Sequence, residues 1–246
     1  MSRIFIFAFV YLSLTSCDEA KKFFRLEEEA PVEDKNVVRT FYKNGKVKSE
    51  VKMDSAGKRH DVAVQFYPDG KPKSEITYDH GIKTKALSYH PNGQLYMDFT
   101  YKGGLKHGVR YKYWDSGQLQ SSLPYFENEP GTGLEEFSQT GKKLTKYPEL
   151  KISTTDKLSA TGQYFVDITF SSRPSRAIYY RGDLLDGKFL SNSLEELDSE
   201  TGSAQLRFYV PNGESQKESI TIIGRWKTLY GNPYIVKKTI SIDLQN

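Results

Sequence analysis

Phe66-Tyr67-Pro68-Asp69-Gly70-Lys71-Pro72-Lys73-Ser74-Glu75 is answered, 23 residues on from its glycine, by Tyr89-His90-Pro91-Asn92-Gly93-Gln94-Leu95. Working outward from this pair, glycines recur at Gly45, Gly70, Gly93, Gly117 and Gly141, at spacings of 25, 23, 24 and 24 residues. Four residues before each stands Phe41, Phe66, Tyr89, Tyr113 or Phe137, and three before stands Tyr42, Tyr67, His90, Trp114 or Ser138. Eight after the first four glycines come Met53, Tyr78, Tyr101 and Tyr125. A fixed period with this register marks a repeat architecture, in which each unit buries its apolar surface only against its neighbours.

Lys43-Asn44-Gly45, Pro68-Asp69-Gly70 and Pro91-Asn92-Gly93 set Asn-Gly or Asp-Gly between runs that alternate apolar and polar residues. That combination predicts two-residue hairpin turns, because Asn, Asp and Gly tolerate positive φ at least steric cost. Asp115-Ser116-Gly117 and Gln139-Thr140-Gly141 are looser versions of the same turn. A second set, Gly57, Gly81 and Gly104, follows eleven or twelve residues after the first, so each repeat holds two turns and two strands. One hairpin is marginal in water, so the hairpins must share a core, for which the aromatic columns are the material. The other use of these positions is an exposed groove, which makes Tyr42, Tyr67, His90 and Trp114, with Lys71 and Lys73, the candidate interaction surface.

Together with Gly104-Leu105-Lys106-His107-Gly108, these segments resemble MORN-type repeats, more narrowly the variant common in bacterial proteins. The resemblance spans about residues 38–147 and implies an elongated, single-layer twisted stack of hairpins that acts as a scaffold or interaction surface. The first unit has Ala56-Gly57-Lys58 out of step by a residue, and the fifth offers Pro148-Glu149 where the later aromatic belongs; both are read as caps.

From about Lys151 the period stops. Tyr164, Val166, Ile168 and Phe170 alternate onto one face, as do Leu206, Phe208 and Val210, and Ile240, Ile242 and Leu244. Turn signals at Asp186-Gly187, Pro211-Asn212-Gly213 and Gly231-Asn232-Pro233 separate them, and the whole suggests a small β-sandwich of Ig-like architecture. The expected fold is therefore all-β, with a repeat region over 38–148 and a sandwich over 149–246.

The N-terminus carries targeting information. Arg3 precedes an apolar run from Ile4 to Leu14, far shorter than the roughly 20 residues a membrane-crossing helix needs. This reads as a signal peptide over residues 1–16. Leu14-Thr15-Ser16-Cys17 resembles the bacterial lipobox, which implies lipidation of Cys17, the chain's only cysteine, and attachment to a membrane. A single thiol excludes an intrachain disulfide. Residues 17–37 are densely charged and read as a tether, and the acids Asp18 and Glu19 resemble either an inner-membrane retention signal or a surface-export signal, the second of which, favoured here, points to the outer membrane.

The net charge of +4 is spread along the chain and calls for no nucleic acid. His60, His80, His90 and His107 show no paired ligand spacing, so no metal is expected; a pairing of His80 with His107 through the repeat is the alternative to surface or turn histidines. With no nucleophile elbow and no phosphate-binding glycine loop, neither catalytic residues nor a cofactor are expected, and the chain reads as a non-enzyme. Glu135-Glu136 and Glu195-Glu196 are read as solvated acids. Lys43, Lys46, Lys48, Lys52, Lys71, Lys73, Lys83 and Lys85 are read as protecting exposed strand edges, or as a stripe for anionic lipid or polysaccharide. The function these readings suggest is a cell-envelope lipoprotein that scaffolds or binds a protein or glycan partner. Two alternatives are an antitoxin-like immunity protein against a secreted toxin and an accessory of an envelope polysaccharide enzyme.

Overall fold

Alternation and the glycine period produce one long antiparallel meander. Strands β1 (Val37–Phe41), β2 (Val47–Lys52), β3 (Asp61–Phe66), β4 (Pro72–Asp79), β5 (Ile82–Tyr89), β6 (Leu95–Lys102), β8 (Gly108–Tyr113) and β9 (Leu119–Phe126) lie side by side in chain order. The short β7 (Leu105–Lys106) pairs with β6, while β10 (Glu129–Pro130) and β11 (Glu135–Glu136) both pair with β9. The structure is a computed structural model that describes residues 36–246 except Arg173 and Ser175; the segment read as a signal peptide, Cys17 and the segment read as a tether, up to Lys35, lie outside the described residues.

The two ends of the strands turn differently, and this corrects the expected turn type. At Gly45 the Tyr42 N–H donates to Lys46 O and the Gly45 N–H to Tyr42 O, which closes a loop of three residues. The same two bonds recur at Gly70, Gly93, Gly117 and Gly141, and once at the opposite strand ends, at Gly57. Only the glycine is left-handed, with φ of 81° at Gly45 and 91° at Gly93, so this is a type I turn followed by a glycine bulge. Asn44, Asp69 and Asn92 are there for another reason than φ: each side-chain oxygen accepts the backbone N–H two residues on. True two-residue turns sit at the opposite strand ends, where His80-Gly81 (φ 44° and 90°), Gly103-Gly104 (58° and 80°) and Glu127-Asn128 (47° and 77°) join directly paired strands.

The described residues after the meander form two four-stranded sheets. In the first, β12 (Leu150–Lys157), β13 (Gln163–Phe170), β17 (Ser203–Tyr209) and β16 (Ser199–Glu200) are neighbours in that order; a helical turn α1 (Leu158–Thr161) joins β12 to β13. In the second the order is β15 (Glu195–Leu197), β14 (Ile178–Arg181), β18 (Ser215–Lys227) and β19 (Pro233–Gln245). Val166, Ile168, Phe170, Leu206 and Phe208 of the first sheet share one buried cluster with Tyr179, Ile220, Ile222, Ile242 and Leu244 of the second. The alternating faces expected over 164–170, 206–210 and 240–244 are the ones turned inward. Each fully buried side chain of this kind contributes about 1.5–3 kcal/mol.

The meander has a core only toward its C-terminal end. Ile76 pairs with Ala86, and Ala86 with Phe99, so these side chains share a face, on which Phe99, Leu123 and Tyr125 are buried together. Strands β1 to β3 contain no buried residue. A sheet buries a face only against a second layer, and the sandwich supplies one beside β8 and β9. Residues Asn36–Asn246 accordingly form one unit. A second contact ties the end of the meander to the sandwich, where Gly131 bridges to Phe189 and the Thr132 N–H donates to Lys188 O at 2.9 Å. A Cβ on Gly131 would stand 2.8 Å from the Phe189 ring, so only glycine permits this approach.

Candidate functional site

The β18–β19 hairpin carries a turn built like those of the repeats, with the Thr228 N–H donating to Asn232 O and the Gly231 N–H to Thr228 O. This turn enters the repeat sheet. Arg110 on β8 donates to Asn232 Oδ1, and the Asn232 amide in turn donates to Glu136 Oε1 at 2.6 Å. Thr228 Oγ1 gives Glu136 a second bond at 2.6 Å, and the Tyr147 hydroxyl reaches its other oxygen at 3.3 Å. Lys112 donates to Tyr230 O at 3.1 Å, and Trp114 meets the Tyr230 ring edge-on. Glu136 is only 2% exposed and Asn232 fully buried, so the network is a sealed polar seam in which the Asn232 amide sits between cation and anion. Burial holds Arg110 below its ordinary pKa, and Lys112 also falls, first through burial and then through the like charge of Arg110. Burial and the Glu136 carboxylate push Tyr147 well above the usual phenol range, which keeps it a donor.

Beside the seam opens a cleft of about 600 Å³. The repeat side supplies Lys106, Arg110, Tyr125 and Glu129, and the sandwich side supplies Arg176, Arg225, Trp226 and Lys227. Lys106 lies 5.7 Å and Arg110 5.8 Å from the centre of the Tyr125 ring, so the aromatic column presents its π faces to cations. Among the described residues none of these five cations has a salt bridge, Glu129 is the sole carboxylate of the wall, and the buried Arg110 Nε has no partner. A wider hollow of about 850 Å³ lies over the outer face of the first sandwich sheet. Its wall mixes Asp167, Asp198 and Glu200 with Arg207 and holds no aromatic ring, so it has less with which to select a ligand.

The sequence-level candidates fall elsewhere and form a ladder. Tyr42 donates to Phe66 O at 2.6 Å, Tyr67 to Tyr89 O at 2.8 Å, His90 Nε2 to Tyr113 O at 3.0 Å, and Trp114 Nε1 to Phe137 O at 3.2 Å. Each half-buried ring thus spends its polar atom on the next repeat, and the degenerate fifth hairpin closes the series as acceptor. Lys71 reaches Pro91 O at 3.4 Å, and Lys73 lies 5.9 Å from the centre of the Tyr67 ring. Much of the wider lysine stripe is engaged locally as well: Lys52 bonds Asp61, Lys85 approaches Asp98, and Lys83 lies over Tyr101.

Glu136 was not legible as a site residue. Glu135 and Glu136 are not both solvated, because neighbours in a strand point to opposite faces: Glu135 bonds Lys143 at the surface while Glu136 enters the seam. The signal was there in the alternation of β11. Among the described residues one group of side chains has metal-ligating atoms close together, namely His60, Asp79 and His80, all within 4.8 Å. His107 is not near His80; it packs on Phe126.

Compared with known protein families, the chain matches the MORN repeat variant over residues 36–54, 62–80, 85–102 and 106–128. The four matches together cover less than half of the chain and stop short of the fifth hairpin and the sandwich. Repeats of this kind generally mediate protein or membrane binding. No curated protein sequence matches the chain.

Proposed function

We propose that this chain is a non-enzymatic binding protein of the bacterial cell envelope, held by lipid on Cys17, which takes an anionic partner into the cleft between repeats and sandwich. The partner would be an acidic protein segment or an acidic glycan. The observation that carries this reading is the gathering of Lys106, Arg110, Arg176, Arg225 and Lys227 around one cavity with Glu129 as the only wall carboxylate. Like charges held together repel, and a cleft with low-dielectric walls focuses their field, so an anion entering it relieves the repulsion. The Tyr125 and Trp226 rings add apolar surface for an acyl or sugar face. The matched family, whose repeats are binding modules, supports a binding role. The anchor rests on the lipobox resemblance around Cys17.

Titrating the full-length chain with polyglutamate and with polygalacturonate tests the cleft. Binding is expected at low ionic strength, weaker as salt screens the charges, and abolished by joint Arg225→Glu and Lys227→Glu substitution. Whichever polymer binds identifies the partner class, and failure of both at low salt would refute the cleft. Fractionation tests the anchor: wild type is expected in the membrane fraction and Cys17→Ser in the soluble one, and a soluble wild type would end that part of the reading.

A further inference from the structure

We propose that His60, Asp79 and His80 form a binding site for a divalent transition metal at the edge of the first repeats, with Zn(II) as the ion of matching chemistry. The site is independent of the cleft. His60 Nδ1 lies 3.9 Å and His80 Nε2 3.8 Å from the same carboxylate oxygen, Asp79 Oδ1. Donors at about 2.0–2.2 Å from a tetrahedral ion stand about 3.3 Å apart, so small rotations of exposed side chains close the set. Asp79 and His80 are free to make them, with side chains 70% and 65% exposed.

The hydrogen bonds around the cluster decide which nitrogens are available. Asp54 Oδ2 lies 2.7 Å from His80 Nδ1, and Asp54 is itself fixed by the backbone N–H groups of Ala56 and Lys58. That carboxylate holds the His80 proton on Nδ1 and leaves Nε2 as a lone pair directed at Asp79. The His80 backbone N–H donates to His60 Nδ1 at 3.3 Å, which makes Nδ1 the lone-pair nitrogen of His60 and puts its proton on Nε2, 3.9 Å from Asp61 Oδ1. Two imidazole nitrogens without protons of their own therefore stand near one carboxylate oxygen, with ring centres 4.5 Å apart, and a bound ion would replace the His80 N–H on the His60 Nδ1 lone pair. A carboxylate behind a ligating imidazole is the usual means of fixing its tautomer and raising its basicity.

Two imidazoles and one carboxylate suit Zn(II) better than Ca(II) or Mg(II), which prefer all-oxygen sites. Three protein ligands leave a fourth position to solvent. His60 comes from the β2–β3 connection, whereas Asp79 and His80 come from the β4–β5 turn. A bound ion would thus clip neighbouring hairpins next to β1 to β3, the strands that bury no residue.

The test is calorimetric titration of the full-length, chelator-stripped chain with Zn(II). One ion per chain is expected to bind, His80→Gln and Asp79→Asn are expected to weaken binding at least about tenfold, and Asp54→Asn about 10–100-fold as an orienting group. His107→Gln, away from the cluster, is expected to leave the affinity unchanged. Zn(II) should also raise the thermal midpoint of wild type but not of His80→Gln, whose metal-free midpoint reports that it folds. No binding by wild type, or wild-type affinity in both His80→Gln and Asp79→Asn, overturns the proposal.

Discussion

The repeat sheet and the sandwich are both antiparallel β, yet they are held together in different ways. In the sandwich, residues from distant parts of the chain, such as Phe170, Ile222 and Leu244, meet in one cluster between two layers. In the repeat sheet each strand touches little besides its sequence neighbours, and the recurring bond from ring to carbonyl links one unit only to the next. A two-layer core is cooperative, while a single-layer stack is close to a sum of nearest-neighbour terms. The stack becomes core-like only beside the sandwich, where Leu123 is fully buried. One region lends the other its second layer, and the cleft lies where that second layer begins.

Substitutions can break or sharpen this contrast. The largest effect is expected from Phe170→Ala, which empties a fully buried position and should cost about 3–5 kcal/mol in urea unfolding. Ile76→Ala, half-buried on the stack, should cost about 1 kcal/mol in the same measurement; equal losses at the two sites would erase the distinction. Next comes Glu136→Ala, which leaves the buried Asn232 amide and Thr228 hydroxyl unpaired and should cost about 1–3 kcal/mol. If the seam couples the two regions, hydrogen exchange in Glu136→Ala should speed up in both β9 and β18, and a change confined to β9 would argue against coupling. Gly93→Ala should cost about 1–2 kcal/mol through its left-handed backbone alone, since no atom lies within 4 Å of the added methyl.

Tyr67→Phe deletes one rung of the ladder and should cost about 0.5–1.5 kcal/mol, with exchange faster only in the adjoining hairpins. The smallest effect belongs to the surface pair of Glu135 and Lys143. The Lys143 hydrogen bond holds Glu135 below its ordinary value of 4.5. A lowered folded pKa means stability that is present above that value and lost as pH falls through the folded one. The thermal midpoints of wild type and Glu135→Gln should therefore differ slightly at neutral pH and converge on acidification.

Much of the fold could be read from spacing because the information is local. A glycine period of about 24 residues and apolar alternation define strands and turns within a few residues of each other. Even there the spacing misleads about the turn type: Asn44-Gly45 looks like a two-residue turn, and only the hydrogen bond from the Lys46 N–H to Asn44 Oδ1 shows the asparagine at work inside a longer loop. The ring positions at Tyr42, Tyr67, His90 and Trp114 were legible as special, but not what their polar atoms did, since the acceptor sits 22 to 24 residues away.

The sequence by itself determined the all-β character, the hairpin repeat and the inward faces of the later strands, because each follows from steric and solvation preferences of residues close in the chain. Only the tertiary structure decided that Arg110 would meet Asn232, that Glu136 would be buried beside its solvated neighbour, and that His60 would face His80 across 20 positions. Such meetings depend on how one layer settles on another, and no period within a single strand or turn encodes the distance between two that come together only on folding.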